Sequence, residues 1–179
     1  MIRLIFATLI FAALSLTANA ASLFGEHEVF DAAAQNNVEG VEGYLLKGEN
    51  VNIRDNAKVP LISRAAEVGS TRVVETLIKN RANVNLTDRI GNSTLMYACA
   101  QGHVDVVELL LKAGAKPDDA NTKGETPLIK ATQEGYLDVV KLLLQYEADK
   151  ELTDFTGRTA LDHAVDHRRR NIEKLLRRE

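Results

Sequence analysis

One spacing governs what this chain can fold into: Gly91, Gly124 and Gly157 stand 33 apart. Gly69, Gly102 and Gly135 keep the same step. Ala65, Ala98, Ala131 and Ala164 form a third column, and Leu77, Leu110, Leu143 and Leu176 a fourth. Val73, Val106, Val139 and Ile172 make a fifth, and Asp55, Asp88, Asn121 and Asp154 a sixth. Six columns sharing one period are not an accident of composition. A unit this short cannot bury its own apolar face, so neighbouring units must cover one another in a stacked array.

The columns also describe the unit. In Gly124-Glu125-Thr126-Pro127-Leu128 a hydroxyl precedes a proline, which is the order of a helix N-cap followed by the first helical position. That helix stops at Gly135, where a left-handed residue reverses the chain. A second helix over Tyr136 to Leu144 is apolar on the side bearing Val139, Val140, Leu143 and Leu144. Leu152 to Gly157 then reads as a polar turn. The fold class expected is all-α, a solenoid of five helix-turn-helix units with projecting β-turn loops.

At this point the chain resembles the ankyrin-repeat family. The matching residues are Thr126-Pro127-Leu128 with Ala131 and Gly135, then Val139-Val140 and Leu142-Leu143-Leu144. The preceding unit repeats them as Gly91 to Leu95, Ala98, and Gly102 to Ala115. The resemblance covers about residues 26–179, in units of about 26–56, 57–89, 90–122, 123–155 and 156–179. Three departures stand out. The first unit carries Asn37 where glycine is expected and reads as one residue short near Glu49. In the second, Pro60 lies one residue off register. The last has Ala160 for proline and Arg168 for glycine. Outer units differ because one face of each meets water.

Residues 1–20 read as an address rather than as part of the fold. Arg3 precedes an apolar run from Leu4 to Leu16, and Ala18-Asn19-Ala20 ends it with small residues at the positions a signal peptidase reads. Cleavage after Ala20 removes Arg3 from the 22 basic groups and none of the 25 acidic ones, and leaves residues 21–25 as a short linker. The expected destination is the periplasm, with secretion or an uncleaved anchor as the alternatives. A balance so close to neutral gives no uniform field for nucleic acid, and no membrane contact is expected of the mature form. Charge is nonetheless uneven: Glu26 to Asp55 holds seven acids and two bases, whereas Thr156 to Glu179 holds seven bases and four acids. Solvated end caps explain this, and a monomer is expected.

No convergent catalytic set is visible. Cys99, the single cysteine, rules out an internal disulfide and a multi-thiolate metal site. Flanked by Ala98 and Ala100 it reads as a buried small hydrophobe. His163 and His167 stand four apart on a helix, a metal-ligand spacing, but without the glutamate of a zinc protease between them. No phosphate-binding glycine loop or nucleophile elbow is present in the sequence. The chain therefore reads as non-enzymatic and without a cofactor or metal.

What the family resemblance implies is a partner protein docked on the face made by turn tips and first helices. Positions there with no expected packing duty are Lys58, Arg89, Ile90, Asn92, Lys123, Glu125, Phe155 and Arg158, with Gln101 and Glu134 from the first helices. Ile90 and Phe155 are large apolar side chains on loop tips and would serve as anchors. Tyr97 is expected to point into the core and His103 to bond the adjacent turn. Two other readings remain open: a dedicated regulator, stabiliser or inhibitor of an exported oxidative-stress enzyme or toxin, and a metal-dependent enzyme using His163 and His167.

Overall fold

The computed structural model describes residues 27–177. Residues 1–20, read above as a signal, and the linker at 21–25 lie outside that range. Helices run in chain order as α1 (residues 27–34), α2 (Val38–Leu45), α3 (Leu61–Glu67), α4 (Thr71–Lys79) and α5 (Thr94–Gln101). They continue as α6 (Val104–Lys112), α7 (Pro127–Glu134), α8 (Leu137–Gln145), α9 (Ala160–Asp166) and α10 (Arg170–Leu176). No strand is present among the described residues, so the expected all-α solenoid is the fold. Isolated antiparallel bridges at Arg54–Pro60, Thr87–Ser93 and Thr153–Thr159 close three of the turns.

The helices form two layers. First helices stack α3 on α5, α5 on α7 and α7 on α9, and second helices stack α2, α4, α6, α8 and α10 in the same sequence. Alanine at 65, 98, 131 and 164 lets the first helices approach closely, and all four side chains are fully buried. Val73, Val106 and Val139, with Leu77, Leu110 and Leu143, fill the space between layers and are equally inaccessible. Each such side chain contributes about 1.5–3 kcal/mol on burial. Cys99 lies in this core, and burial pushes its thiol far above its ordinary range, so it is a packing residue.

Backbone handedness follows the same register. Every residue with positive φ among those described falls in one of three columns. Asn36, Gly69, Gly102, Gly135 and Arg168 reverse the chain between paired helices. Gly48, Arg81, Gly114 and Glu147 end the second helices, and Lys58, Gly91, Gly124 and Gly157 sit in the turn tips. Only at some of these is glycine obligatory. At Gly102, φ is +75° and an added Cβ would lie 2.5 Å from the Tyr136 ring, so both the backbone and the space demand it.

Two expectations need correction here. The first unit is not one residue short: Asn36 stands 33 before Gly69 and adopts φ +53°, while Asn37 is the N-cap of α2 and accepts the Gly40 N–H at 3.0 Å. The register therefore runs unbroken from α1, where Val29, Ala32 and Ala33 are buried like Ile62, Ala65 and Ala66. Pro60 leaves the second turn intact as well. It occupies the N-cap position that Ser93, Thr126 and Thr159 hold elsewhere, and the helix lacks only the side-chain cap bond.

Candidate functional site

Each turn tip is built around one side chain. Asp88 Oδ1 accepts the N–H groups of Ile90 and Asn92, both at 2.9 Å. Asn121 Oδ1 takes those of Lys123 and Glu125 at 2.9 and 3.1 Å, and Asp154 Oδ1 those of Thr156 and Arg158 at 2.8 and 3.2 Å. Asp55 Oδ1 accepts Val59 N–H at 2.9 Å. This self-bonding is why Asp and Asn recur in that column: their short side chains hold the loop without help from other elements.

A second column, one turn into the first helix, braces each tip from below. Arg64 Nη2 lies 2.7 Å from Asp55 Oδ2, and its Nη1 lies 2.8 Å from Glu67 Oε2. Tyr97 Oη donates to Asp88 Oδ2 at 2.8 Å, and His163 Nε2 is 2.8 Å from Asp154 Oδ2. Lys130, at the same position, reaches Glu125 Oε2 at 3.5 Å. Burial would raise the carboxyl of Asp55, but the Val59 N–H and Arg64 outweigh it and hold that group below the ordinary carboxylate range. Burial likewise opposes ionisation of Asp154. The Thr156 hydroxyl, His163 and the Arg158 and Thr156 N–H groups overcome it, and the carboxyl titrates well below the ordinary range. Glu125 is held down by Asn121, Lys130 and Gln133 against the same penalty. For Tyr97, burial first and the hydrogen bond to Asp88 second push the phenol up.

The tips are also tied to one another. Thr122 N–H donates to Ile90 C=O at 2.9 Å, and Phe155 N–H to Lys123 C=O at 2.9 Å. The tips at 88–92, 121–125 and 154–158 thus form one edge with a fixed backbone. Along it, Phe155 is 79% exposed and Ile90 50% exposed. The Phe155 ring leans over Gly124, where a Cβ would meet its Cδ1 at 2.7 Å, yet most of its surface faces outward.

The predicted residues divide accordingly. Lys58, Arg89, Lys123, Phe155 and Arg158 are exposed on the tips, and Gln101 and Glu134 are exposed at the ends of α5 and α7. Two do not belong with them. Glu125 is buried, bonded to Asn121 Nδ2 at 2.8 Å, because it completes the bracing of its own tip. Asn92 is half-buried, bonded to Asp88 and accepting from Asn121 Nδ2 at 2.8 Å, so it links two tips. Tyr97 is half-buried and serves the turn, whereas its neighbour Met96 points into the core.

The two histidines of the pair each bond within the fold. His163 is committed to Asp154, and His167 Nδ1 lies 2.9 Å from the His163 carbonyl oxygen, which occupies that ring nitrogen. Among the described residues no group of three His, Cys, Asp or Glu side chains is placed to hold a metal ion. His103 bonds the preceding repeat, its Nε2 3.1 Å from Glu67 C=O. Arg169 repeats this with two bonds to Gln133 C=O at 2.9 and 3.2 Å. That cross-repeat clasp was missed for Arg169, although it shares a column with His103 and Tyr136.

Comparison with known families agrees with this architecture. A family model described as ankyrin repeats in three copies matches residues 29–121 and 114–179. No curated protein matches the chain.

Proposed function

We propose that this chain, which belongs to the ankyrin-repeat family, is an exported protein that holds a partner protein along the edge of its turn tips. Ankyrin repeats are protein–protein interaction modules and are generally non-catalytic. The finer reading rests on one observation: Phe155 and Ile90 project large apolar surfaces from tips whose backbones are locked by Asx bonds and tip-to-tip hydrogen bonds. A loop whose backbone is already fixed pays little further backbone ordering when its apolar side chain is covered, so more of that burial goes into affinity. Each would contribute about 1.5–3 kcal/mol, the size of a binding anchor.

Export is supported by the order of Arg3, the apolar run and Ala18-Asn19-Ala20. Fractionation followed by N-terminal sequencing tests it: a periplasmic protein starting at Ala21 is expected, and a cytoplasmic one retaining Met1 rejects it. The docking edge is tested by a double variant, Ile90→Ser with Phe155→Ala, used as bait beside the native chain in extract of the native compartment. Capture of the partner should fall sharply while the melting temperature stays nearly constant. Equal capture by both baits rejects the edge.

A further inference from the structure

We infer that the partner presents an extended, sparsely acidic segment carrying apolar side chains, read by a row of cations along the tips. This rests on the tip edge being the docking face. Each tip carries one exposed basic side chain, at a different place in each loop: Lys58, Arg89, Lys123 and Arg158. The first three have no ion-pair partner among the described residues, and Arg158 Nη1 lies 3.3 Å from Asp166.

The acids of the same tips are spent within the fold. Asp55 faces Arg64, Asp88 holds two N–H groups and the Tyr97 hydroxyl, and Asp154 faces His163. Glu125 is buried against Asn121 and Lys130, and the remaining turn position is the neutral Asn121. The outermost charges of this edge are therefore cations, while its carboxylates are buried or half-buried against their own donors. Positive charge in water selects negative charge by steering and by rejecting cationic competitors.

Spacing narrows the ligand further. Neighbouring repeats are set about 10 Å apart by helix packing, and an extended chain advances about 3.3 Å per residue. One acid in about every three residues thus matches one cation per tip. Phe155 and Ile90 lie between and beside those cations and want apolar neighbours in the same segment. Nucleic acid fits less well, since a single strand carries a charge about every 3.4 Å, roughly three times the density of that row of cations.

A displayed library of random 15-residue peptides, selected on the full chain at low salt, tests this. Enriched peptides should carry spaced Asp or Glu with Leu, Phe or Tyr among them. The best of them should lose about tenfold or more in affinity to the variant Lys58→Gln/Arg89→Gln/Lys123→Gln, and a comparable loss is expected for Ile90→Ser/Phe155→Ala. Melting temperature reports that both variants are folded. Selected peptides without acid enrichment, no selected peptides at all, or tighter binding of mixed-sequence single-stranded DNA overturn the inference. Peptides sensitive to the apolar double variant but indifferent to the charge variant overturn the acidic class and leave the docking edge standing. Indifference to both variants removes the edge itself.

Discussion

Cys99 and Val165 hold the same position in their repeats, two units apart, and their surroundings are opposite. Cys99 is fully buried, while Val165 is 46% exposed. Ala33, Ala66 and Thr132, the other members of that column, are also fully buried. A following repeat completes the cover of this side chain, and no described repeat follows α10. At the opposite end the side chains themselves have changed. Glu28 stands where Leu61, Thr94, Pro127 and Ala160 are buried, and Gly40 stands in the column of Val73, Val106, Val139 and Ile172. Burial in this fold is thus conferred by neighbours, and substitutions should be felt in proportion to how many neighbours a residue has.

The largest expected difference lies in the leucine column. Leu110 sits between layers with repeats on both sides, so Leu110→Ala should cost about 2–5 kcal/mol. Leu176 closes the last helix with a repeat on one side only, where the chain relaxes into the gap more easily. Leu176→Ala should cost about 2 kcal/mol or less. Urea unfolding of both variants checks this, and equal losses would break the contrast between interior and end.

Glycines sharpen it next. Gly102→Ala meets both penalties, a φ of +75° and a Cβ 2.5 Å from the Tyr136 ring, and should cost about 1–3 kcal/mol. Gly157 has a similar φ of +79° but nothing within 4 Å, so Gly157→Ala carries only the backbone strain, about 1 kcal/mol. Thermal melts of the pair should rank in that order.

Tips differ by charge in the same way. Asn121 and Asp154 make equivalent turns, so Asp154→Asn preserves both N–H bonds and replaces the charged oxygen facing His163 with an amide NH2. We expect a loss of about 1–2 kcal/mol at neutral pH. Because the folded state holds the Asp154 carboxyl below its unfolded value, its contribution is complete above the ordinary carboxylate range and disappears as pH falls beneath it. Stability of the native chain measured from pH 6 to pH 2 should therefore decline more steeply than that of the variant. Parallel curves would show that the Asp154 charge adds nothing to stability.

Most of the architecture was legible because the period is a packing constraint: a column of identical small or apolar residues exists only where one repeat presses on the next. Legibility failed where a bond substitutes for a side chain. Pro60 hides an ordinary turn because the cap hydroxyl it replaces is dispensable once Asp55 and the Arg54–Pro60 bridge close the loop. Asn36 hides a reversal that glycine performs elsewhere, since asparagine also tolerates left-handed backbone. At the tips the pattern marked the exposed positions but could not separate Glu125 and Asn92 from them. Their burial arises from Asn121, which bonds across two tips at once, and only three-dimensional placement reveals that link.

The smallest effects give the cleanest comparison, because two nearly isosteric substitutions can be exchanged within one column. Thr132 is fully buried between α7 and its neighbours, and its Oγ1 has no hydrogen-bond partner. An unpaired buried hydroxyl is a net cost, so Thr132→Val should stabilise the fold by about 1 kcal/mol. Val165, in the same register at the end of the stack, is half in water. Val165→Thr there exchanges a methyl for a hydroxyl that solvent can satisfy, and should change stability by less than about 0.5 kcal/mol. Chemical denaturation of the two single variants decides the point. If Val165→Thr proves as costly as a buried exchange, Val165 is covered in solution, and the end of the stack is not the free face that its exposure indicates.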